Sequence, residues 1–362
     1  MELKTILSEE EYKTILHYAS FAMSGDNCQP WRFKKESANT LLILHDENRA
    51  KHLLNPNNIS SVIAFGTLVE AIYMGAQSIG YSANYKFMSD FGKKNTNTPW
   101  VEISFEKKIN DNDFDADAFF TRSVIRNNYQ KQAIPFDILN NFPINFSDID
   151  TVKISLVNHI NDDFIEFSTK VENKWWQNST MIYDILKWVR WTNKKYIQVR
   201  DGMHWSETGC SIFEIPLIWL VFKSSTIRNL IKTQMSKNLA KQTQTRLTNS
   251  GGLIAFSTKD QTLQSFFDVG RVAMRSAIKL KELGIVYQPL SLQSFFINQN
   301  KINFDIPEIK LPLEELNAHK DIVRKQFNLE NNFLPLWIFR IGYPIKKVTT
   351  KSSLRLDTPW VI

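Results

Sequence analysis

The stretch from Ser24 to Trp31, Ser-Gly-Asp-Asn-Cys-Gln-Pro-Trp, constrains the fold more than any other part of the chain. It follows a helical apolar pattern, and its small polar residues predict a turn that exposes backbone N–H groups. The amides of Asn27 and Gln29 can both donate and accept hydrogen bonds. Pro30 fixes the backbone, and Trp31 offers a broad apolar wall. The set suits a flat heterocyclic ligand with donors and acceptors along one edge; the alternative is a surface turn that buries a tryptophan.

Helix and strand patterns alternate along the rest of the chain. Ser8 and Glu11 form the pattern of a capping box, which begins the first helix. Further helices are predicted from 60 to 79, with Gly80 as a C-cap, from 262 to 283, closed by Gly284, and from 313 to 327. Strands are predicted at 40–45, 101–105, 152–157, 253–256 and 336–341. Alternation with this much helix is typical of α+β or α/β proteins.

Two of the predicted helices resemble each other. The segment from Gly66 to Tyr81 and the segment from Gly270 to Ile285 each begin with a glycine, continue as a helix and close with a second glycine before a new element. Such self-similarity indicates two related halves in one chain, or two buried helices that are alike by chance.

Composition excludes several classes of function. The chain has 362 residues, 43% of them hydrophobic, which is enough for a substantial core. The net charge is +7, but the lysines are scattered and no nucleic-acid-binding motif is present, so no nucleic-acid partner is predicted. The two cysteines exclude a disulfide framework, and the six histidines are dispersed, so no metal site is predicted.

The apolar segments are short. The first residues lack the apolar core of a signal peptide, and the longest apolar run, Ile215 to Phe222, is too short to cross a bilayer. These features predict a cytoplasmic protein with no integral membrane segment.

A second chemical motif is the stretch from Arg122 to Tyr129, Arg-Ser-Val-Ile-Arg-Asn-Asn-Tyr. At the start of a helix, Arg122 and Arg126 would share one face because they are four residues apart. Two guanidinium groups beside the Ser123 hydroxyl can hold a phosphate through charge-assisted hydrogen bonds. The alternative is an ordinary basic helix face in solvent.

These motifs together resemble a known family. The stretch from Ser24 to Trp31 resembles the S-x-x-N-x-Q-P-W signature of the nitroreductase-like flavoproteins, in which it lies against FMN. The stretch from Arg122 to Tyr129 is similar to the R-S-x-R-x-y phosphate element of that family, with one extra residue. In this chain the element follows the Asn-Gln-Pro-Trp turn, whereas family members of the usual kind place it first.

The resemblance extends to the C-terminal third of the chain. It implies that the helix after Asp268 crosses the core and that the loop from Gln288 to Ser291 meets flavin N5. Arg340 to Pro344 looks like the closing strand of the family, after which Ser353 and Arg355 would reach the FMN phosphate. The implied cofactor-binding residues are Ser24, Asn27, Gln29, Trp31, Arg122, Ser123, Arg126, Gln288, Pro289, Leu290, Ser291, Ser353 and Arg355. No catalytic residue and no metal ligand is implied.

The residues of the motifs are similar to those of a long, divergent branch of the family, which includes flavin-sequestering proteins and the nitroreductase portion of ThiF fusions. The resemblance implies an α+β fold of three layers of sheet and helix, with two family-like halves in one chain. The first half is residues 1–140. The second is residues 141–362, with a helical insertion from 162 to 245 as a lid.

The function implied by the resemblance is that of an FMN-dependent oxidoreductase. It would pass hydride from NAD(P)H through flavin N5 to a small aromatic compound, a quinone or a biosynthetic intermediate. The alternatives are a flavin-storage protein with little turnover and a relative without FMN that binds a partner through residues 205–245. The protein would be a monomer that forms a pseudo-dimer, or a homodimer.

Overall fold

The computed structural model describes residues 6–108, 114–143, 146–302, 306, 309–346 and 354–356. These residues form two four-stranded antiparallel sheets, a short two-stranded pair and numerous helices. The α+β class predicted from the sequence is therefore confirmed.

The first sheet and its helices come from the N-terminal part of the chain. Helix α1 (Glu9–Ser20) is capped as predicted. The Ser8 side chain accepts a hydrogen bond from the backbone N–H of Glu11, and the Glu11 side chain accepts one from the backbone N–H of Ser8. The strands are β1 (Trp31–Ser37), β2 (Thr40–His45), β3 (Tyr81–Phe87) and β4 (Thr98–Lys107), in the spatial order β1-β2-β4-β3. Helix α2 (Ile59–Gln77) connects β2 to β3 and is buried along most of its length.

The second sheet comes from the rest of the chain. Its strands are β5 (Lys153–Val157), β8 (Gly252–Thr258), β9 (Val286–Pro289) and β10 (Leu334–Gly342), in the order β5-β8-β10-β9. Helix α10 (Leu263–Glu282) connects β8 to β9. A separate parallel pair consists of β6 (Val189–Arg190) and β7 (Met203–His204).

The two sheets repeat one topology. Along the chain, β1, β2, α2, β3 and β4 correspond in sequence to β5, β8, α10, β9 and β10, and both sheets have the same spatial strand order. We call these two sets the first half and the second half. The resemblance between residues 66–81 and 270–285 falls on α2 and α10 and the residues that follow them, so it lies at equivalent positions of the two halves.

Helices α2 and α10 pack directly against each other. A Cβ atom at Gly66 would lie 1.9 Å from the carbonyl oxygen of Phe267, and one at Gly270 would lie 2.0 Å from that of Ile63. Only glycine permits so close an approach of the two backbones. The early glycines of the two similar segments therefore face each other across the centre of the molecule.

The second half carries additional helices. Helices α3 (Ala116–Thr121) and α4 (Phe136–Asn141) precede β5, and α11 (Ser291–Asn298) and α12 (Leu313–Phe327) lie between β9 and β10. Between β5 and β8 lie α5 (Asp162–Trp176), α6 (Ser179–Leu186), α7 (Asn193–Val199), α8 (Ile215–Lys223) and α9 (Ser225–Thr248). This last group coincides with the predicted helical insertion and contributes a smaller apolar cluster around Ile182 and Val221.

The predicted helix start at Arg122 is wrong. Helix α3 ends at Thr121, and Arg122 has an extended backbone with φ −62° and ψ 144°. The following residues pair with other strands, since Val124 bridges to Tyr287 and Tyr129 bridges to Pro344. Backbone hydrogen bonds to the second sheet thus replace those of a helix. Arg122 and Arg126 are brought together by the sheet edge and not by a helical turn.

One segment of the described residues, Pro56–Gln77, is long and apolar enough to cross a membrane by composition. The interior of the protein buries 89% of its most apolar window. It is therefore a core helix, as its contacts with α1 and α10 show.

Candidate cofactor-binding site

A cavity of about 840 Å³ brings together the motifs that the sequence singles out. Its wall contains residues from the loop before β1, from the segment after α3, from helices α5, α8 and α9, and from β9 and the start of α11, where the sequence predicted a loop over 288–291. The predicted site residues in the wall are Ser24, Asn27, Arg122, Ser123, Arg126, Gln288, Pro289, Leu290, Ser291 and Arg355. Gln29 and Trp31 are not in the wall, and Ser353 lies outside the described residues.

The loop before β1 has an unusual backbone. A short 3₁₀ helix spans Gly25–Asn27, and Asp26, Asn27 and Gln29 have left-handed φ angles of 48°, 55° and 50°. Asp and Asn tolerate this region better than most residues, and such conformations persist only where the surroundings hold them. The Ser24 hydroxyl oxygen helps, because it accepts a hydrogen bond from the Gln29 backbone at 3.0 Å.

The two amides of the motif hold this loop against distant segments. The Asn27 amide donates to the carbonyl oxygens of Gly202 at 3.2 Å and Leu354 at 2.9 Å. The Gln29 amide donates to the carbonyl of Arg200 at 3.1 Å and accepts from the Leu356 backbone at 2.9 Å. Gln29 and Trp31 are each 1% exposed. They therefore lie behind the residues that form the cavity wall.

An ion-pair cluster fastens the same loop to the helical insertion. Asp201 contacts Arg49 at 2.8 Å and Arg190 at 2.6 Å, and all three side chains are largely buried. Arg49 also donates from Nε to the carbonyl oxygen of Cys28 at 2.8 Å. The cluster thus joins the first half to the insertion beside the cavity. The sequence did not predict this cluster, because Arg49 and Asp201 are 152 positions apart in the chain.

Arginine side chains dominate the charge of the cavity. The arginines in the wall are Arg122, Arg126, Arg246, Arg340 and Arg355. Within the part of the chain that the structure describes, none of them has a carboxylate within 4.0 Å. Most of their hydrogen bonds go to neutral oxygens: Arg126 donates to the carbonyl of Glu207 at 3.1 Å, and Arg340 donates to that of Asn127 at 2.8 Å. Carboxyl groups of the wall act on these arginines at longer range, Asp26 on Arg126, Glu172 on Arg246 and Glu207 on Arg355, so the positive charge of the wall is partly offset.

Three of these arginines have a buried N–H group without a hydrogen-bond partner among the described residues: Arg122 Nε, Arg340 Nη1 and Arg355 Nε. Burial, together with the charges of Arg246 and Arg126, lowers the pKa of Arg340 to about 10. Burial and the charge of Arg122 likewise lower the pKa of Arg355 to about 10. Buried donors of this kind are costly unless a ligand satisfies them. The arrangement is suited to an anion.

The rest of the wall is apolar and partly aromatic. Tyr287, Leu292, Phe295 and Trp337 line it from the second half, and Tyr287 stacks on Phe339 with 5.1 Å between ring centroids. On the other side, helices α8 and α9 contribute the aliphatic residues Leu217, Ile218, Val221, Leu230, Ile231 and Leu239. The wall thus has a basic part, formed by the arginines, and an apolar part. A planar apolar ligand with an anionic tail matches these two parts.

Two carboxyl groups in the wall have shifted pKa values. Burial raises the pKa of Asp26 to about 6, so this group exchanges a proton near neutral pH. Burial also raises the pKa of Glu172, which accepts a hydrogen bond from Trp176 Nε1 at 2.7 Å. His52 is different: burial lowers its pKa to about 3, and its ring stacks on Trp188 at 4.4 Å. The Oδ2 atom of Asp26 lies 3.6 Å from Nδ1 of His52, so the two groups face each other in the wall.

Sequence reasoning missed Arg246, Glu172 and the site role of Asp26. Arg246 and Glu172 lie on α9 and α5 of the insertion, where no motif marks them. Helix α9 has polar residues around its whole circumference, so its pattern does not show which face lies towards a cavity. Asp26 lies inside the motif, but the turn pattern did not show that its side chain lines a cavity.

No protein-family model matches the sequence, and a search of curated proteins finds no match. Among solved structures, the chain is similar to a nitroreductase with bound FMN from Bacteroides fragilis, with 12% identity and a TM-score of 0.36, over 68% of this chain and 96% of that one.

Two further similar structures are nitroreductases. The FMN and NADPH-dependent nitroreductase NfnB from Sphigopyxis sp. strain HMH has 11% identity and a TM-score of 0.33, over 67% of this chain and 94% of that one. An FMN-dependent nitroreductase from Clostridium difficile has 10% identity and a TM-score of 0.30, over 67% and 94%.

Proposed function

We propose that the protein is an FMN-dependent oxidoreductase of the nitroreductase type. It would take electrons from NAD(P)H and reduce a small aromatic compound, a quinone or a biosynthetic intermediate. The observation that carries the proposal is the set of three buried arginine N–H groups that have no hydrogen-bond partner among the described residues, in the cavity that also contains the Ser-Gly-Asp-Asn loop. FMN, when bound, would supply the redox chemistry.

The arginines fit the phosphate of FMN. The like charges of Arg122 and Arg355 repel each other. Each side chain also has a buried N–H group in the wall that no described residue accepts. Charge-assisted hydrogen bonds to a phosphate are among the strongest that a protein makes. Ser123, Arg126 and Arg246 line the same cavity and would add a hydroxyl and two further guanidinium groups. Arg340 would hold the segment through its contacts with Asn127 and Gln288.

The repeated topology accounts for the order of the motifs. The Ser24–Trp31 loop precedes β1, the first strand of the first half, and the Arg122–Tyr129 segment precedes β5, the first strand of the second half. Each half would contribute one motif to a shared cavity, as two protomers do in a dimer. We therefore propose a single-chain pseudo-dimer, divided after β4 at Lys107 and not at residue 140.

The remaining wall residues suit a flat ring. Tyr287, Trp337 and Leu292 would pack on it, and residues 288–291 would present backbone groups to its edge. Asp26 would hold a proton below about pH 6 and release it above, beside the place where a substrate meets the ring. Asn27 and Gln29 would fix the loop, since their amides are occupied by protein contacts.

The test is to titrate the purified protein with FMN and then add NADH or NADPH without oxygen. We expect tight binding, seen as a change in flavin absorbance and fluorescence. The flavin absorbance at about 450 nm should then decrease when the nucleotide is added. Failure to bind FMN would contradict the proposal. As a control for site geometry, Arg324→Ala on α12, outside the cavity wall, should leave FMN binding unchanged.

One observation favours a second function, flavin storage. Helices α8 and α9 cover one side of the cavity and would restrict access to a bound flavin. In that case FMN would bind and NAD(P)H would not bleach it, and iodide would quench flavin fluorescence weakly. Shortening the chain between residues 205 and 235 should then increase quenching, with the fold retained by circular dichroism. Free access of iodide in the intact protein would exclude the lid and favour the reductase.

A further inference from the structure

Large apolar side chains are exposed on and around helix α8. Phe213 is 90% exposed, Leu230 77%, Ile212 62% and Leu217 53%, and Trp219 and Leu220 are also exposed. We call these six residues the apolar ridge. Five of them lie within nine positions of the chain, from Ile212 to Leu220, and large apolar side chains exposed together in this way mark an interaction site.

Four residues of the ridge lie in a segment whose charged residues are all basic, and the exposed Glu214 lies just before that segment, between Phe213 and Leu217. From Ile215 to Ser250 the chain contains no Asp or Glu, and its basic residues are Lys223, Arg228, Lys232, Lys237, Lys241 and Arg246. Arg228 is buried and Arg246 lines the cavity, while Lys223, Lys237 and Lys241 are exposed. Lys223 Nζ lies 5.8 Å from the Trp219 ring centroid, so charge and ridge are in contact.

The ridge also borders the cavity. Leu217 and Leu230 are both exposed and part of the cavity wall, and so are Gln234 and Asn238 on the next turns of α9. A residue that is exposed and lines the cavity lies at its mouth. The cavity therefore opens beside the ridge.

We propose that the apolar ridge docks this protein on the surface of an anionic phospholipid bilayer, with the mouth of the cavity towards the lipid. Trp, Phe and Leu side chains enter the boundary between head groups and acyl chains, while lysines extend to the phosphates. Each lysine near an anionic surface adds attraction, on the order of 1 kcal/mol. Helix α8 has nine residues, so it is about 13 Å long and lies along the surface without crossing it.

The charge disfavours a second copy of this chain as the occupant. A symmetric dimer across the ridge would bring the lysines of two identical segments together, and Glu214 is the one acidic residue from Ile212 to Ser250 that could pair with them. An anionic bilayer supplies both the apolar layer and the opposite charge. If the proposed reductase function holds, lipophilic acceptors such as quinones would enter the cavity from the bilayer.

Vesicle co-sedimentation tests the docking. The full-length protein should bind vesicles of phosphatidylcholine with phosphatidylglycerol, should bind phosphatidylcholine alone weakly, and should dissociate at high salt. The double variant Phe213→Ser/Leu220→Ser should lower the partition coefficient about tenfold, because two side chains no longer enter the interface. Lys223→Glu/Lys237→Glu should reduce binding to anionic vesicles only.

Matched controls separate the ridge from general surface effects. Phe136 is 71% exposed and Lys94 is exposed, and both lie outside the ridge. Phe136→Ser and Lys94→Glu should leave binding unchanged. Absence of binding to anionic vesicles, equal losses in the control variants, or a dimer in size-exclusion chromatography that the Phe213→Ser/Leu220→Ser change dissociates would overturn the proposal.

FMN uptake is measured in the same samples. Vesicle binding without FMN uptake would contradict only the proposed function, and FMN uptake without vesicle binding would contradict only the docking.

Discussion

The two halves of the molecule share a frame and differ in what is attached to it. In the first half, β1 and β2 are joined by a short hairpin turn, and in the second half the equivalent strands β5 and β8 are separated by helices α5–α9. Strands β9 and β10 are likewise separated by α11 and α12, whereas β3 and β4 are joined directly by a loop. The sheets tolerate these insertions because loops at strand ends do not disturb the ladder.

The candidate site follows this difference. The first half contributes mainly the loop before β1 and the start of α2, and the second half and its insertion contribute the arginines and the apolar cover. The shared frame thus contributes residues of α2, β9 and β10 to the wall, and the other wall residues lie in loops and in the inserted segments. Four changes test this division, from the largest expected effect to the smallest.

The largest effect is expected where the two halves meet. Gly66→Ala and Gly270→Ala should each destabilise the fold by about 3 kcal/mol, because the added methyl group would overlap a backbone carbonyl that cannot move alone. The two effects should be similar, since the contact is nearly symmetric. Chemical denaturation measures the change in the free energy of unfolding.

The closing glycines of α2 and α10 are the matched controls. Gly80 and Gly284 have φ angles of 78° and 70°, and a Cβ atom at either would meet nothing within 4 Å. Gly80→Asn and Gly284→Asn should cost less than about 1 kcal/mol, because Asn tolerates left-handed backbone. Large losses here, or small ones at Gly66 and Gly270, would contradict the central role of the helix contact.

The next effect concerns the joint between the first half and the insertion. Asp201→Ala would leave Arg49 and Arg190 without their shared carboxylate, and we expect a loss of about 2 kcal/mol in stability. FMN affinity should also fall, because Arg49 holds the cavity loop. Asp163→Ala, which removes an exposed pair with Lys325 at 3.8 Å, should change neither quantity measurably. Equal results for the two variants would show that the joint is not structural.

A more local effect is expected at Arg355. Arg355→Ala should weaken FMN binding by roughly ten- to a hundredfold, because a charge-assisted contact is worth about 1.5–3 kcal/mol. Its hydrogen bond to the Asn27 side chain oxygen would also be lost. Flavin fluorescence titration measures the affinity. An unchanged affinity in a folded variant would remove Arg355 from the site.

The smallest effect is a pH dependence. Hydrogen bonds from Arg275, at 2.6 Å and 2.8 Å, lower the pKa of Asp148 to about 2, below its value of about 3.9 in an unfolded chain. A lowered carboxyl pKa stabilises the fold above the unfolded value, and this contribution disappears as the pH falls from about 4 to about 2. Because the Asp148 side chain is half exposed, the contribution at neutral pH should be about 1 kcal/mol or less.

The measurement compares Asp148→Asn with the parent protein. The variant should be less stable at neutral pH, and the difference should shrink towards zero near pH 2. Asp150→Asn, at an exposed neighbouring position, should show no such trend. A difference that does not depend on pH would show that the charge of Asp148 is not involved.

Local structure was predictable wherever neighbouring residues decide it. The helix over 313–327 and the strand over 40–45 have the predicted bounds, and Ser8 and Glu11 form the predicted capping box. These features depend on contacts between residues three or four apart, or on alternation along one strand. The helix start predicted at Arg122 was wrong. The local pattern of this segment suits a helix, but the pairing of Val124 with Tyr287 overrides that pattern.

The sequence by itself determined the α+β class, most of the long helices, five of the eight strands of the two sheets and the motifs that resemble a flavoprotein. Only the tertiary structure decided that Gln29 and Trp31 lie behind the wall, that Arg246 and Glu172 lie in it, and that Asp201 fastens the loop. The physical reason is the distance along the chain over which each effect acts. Propensity and periodicity act over a few residues, whereas a buried guanidinium takes its partners from segments that meet only when both sheets and the central helices have packed.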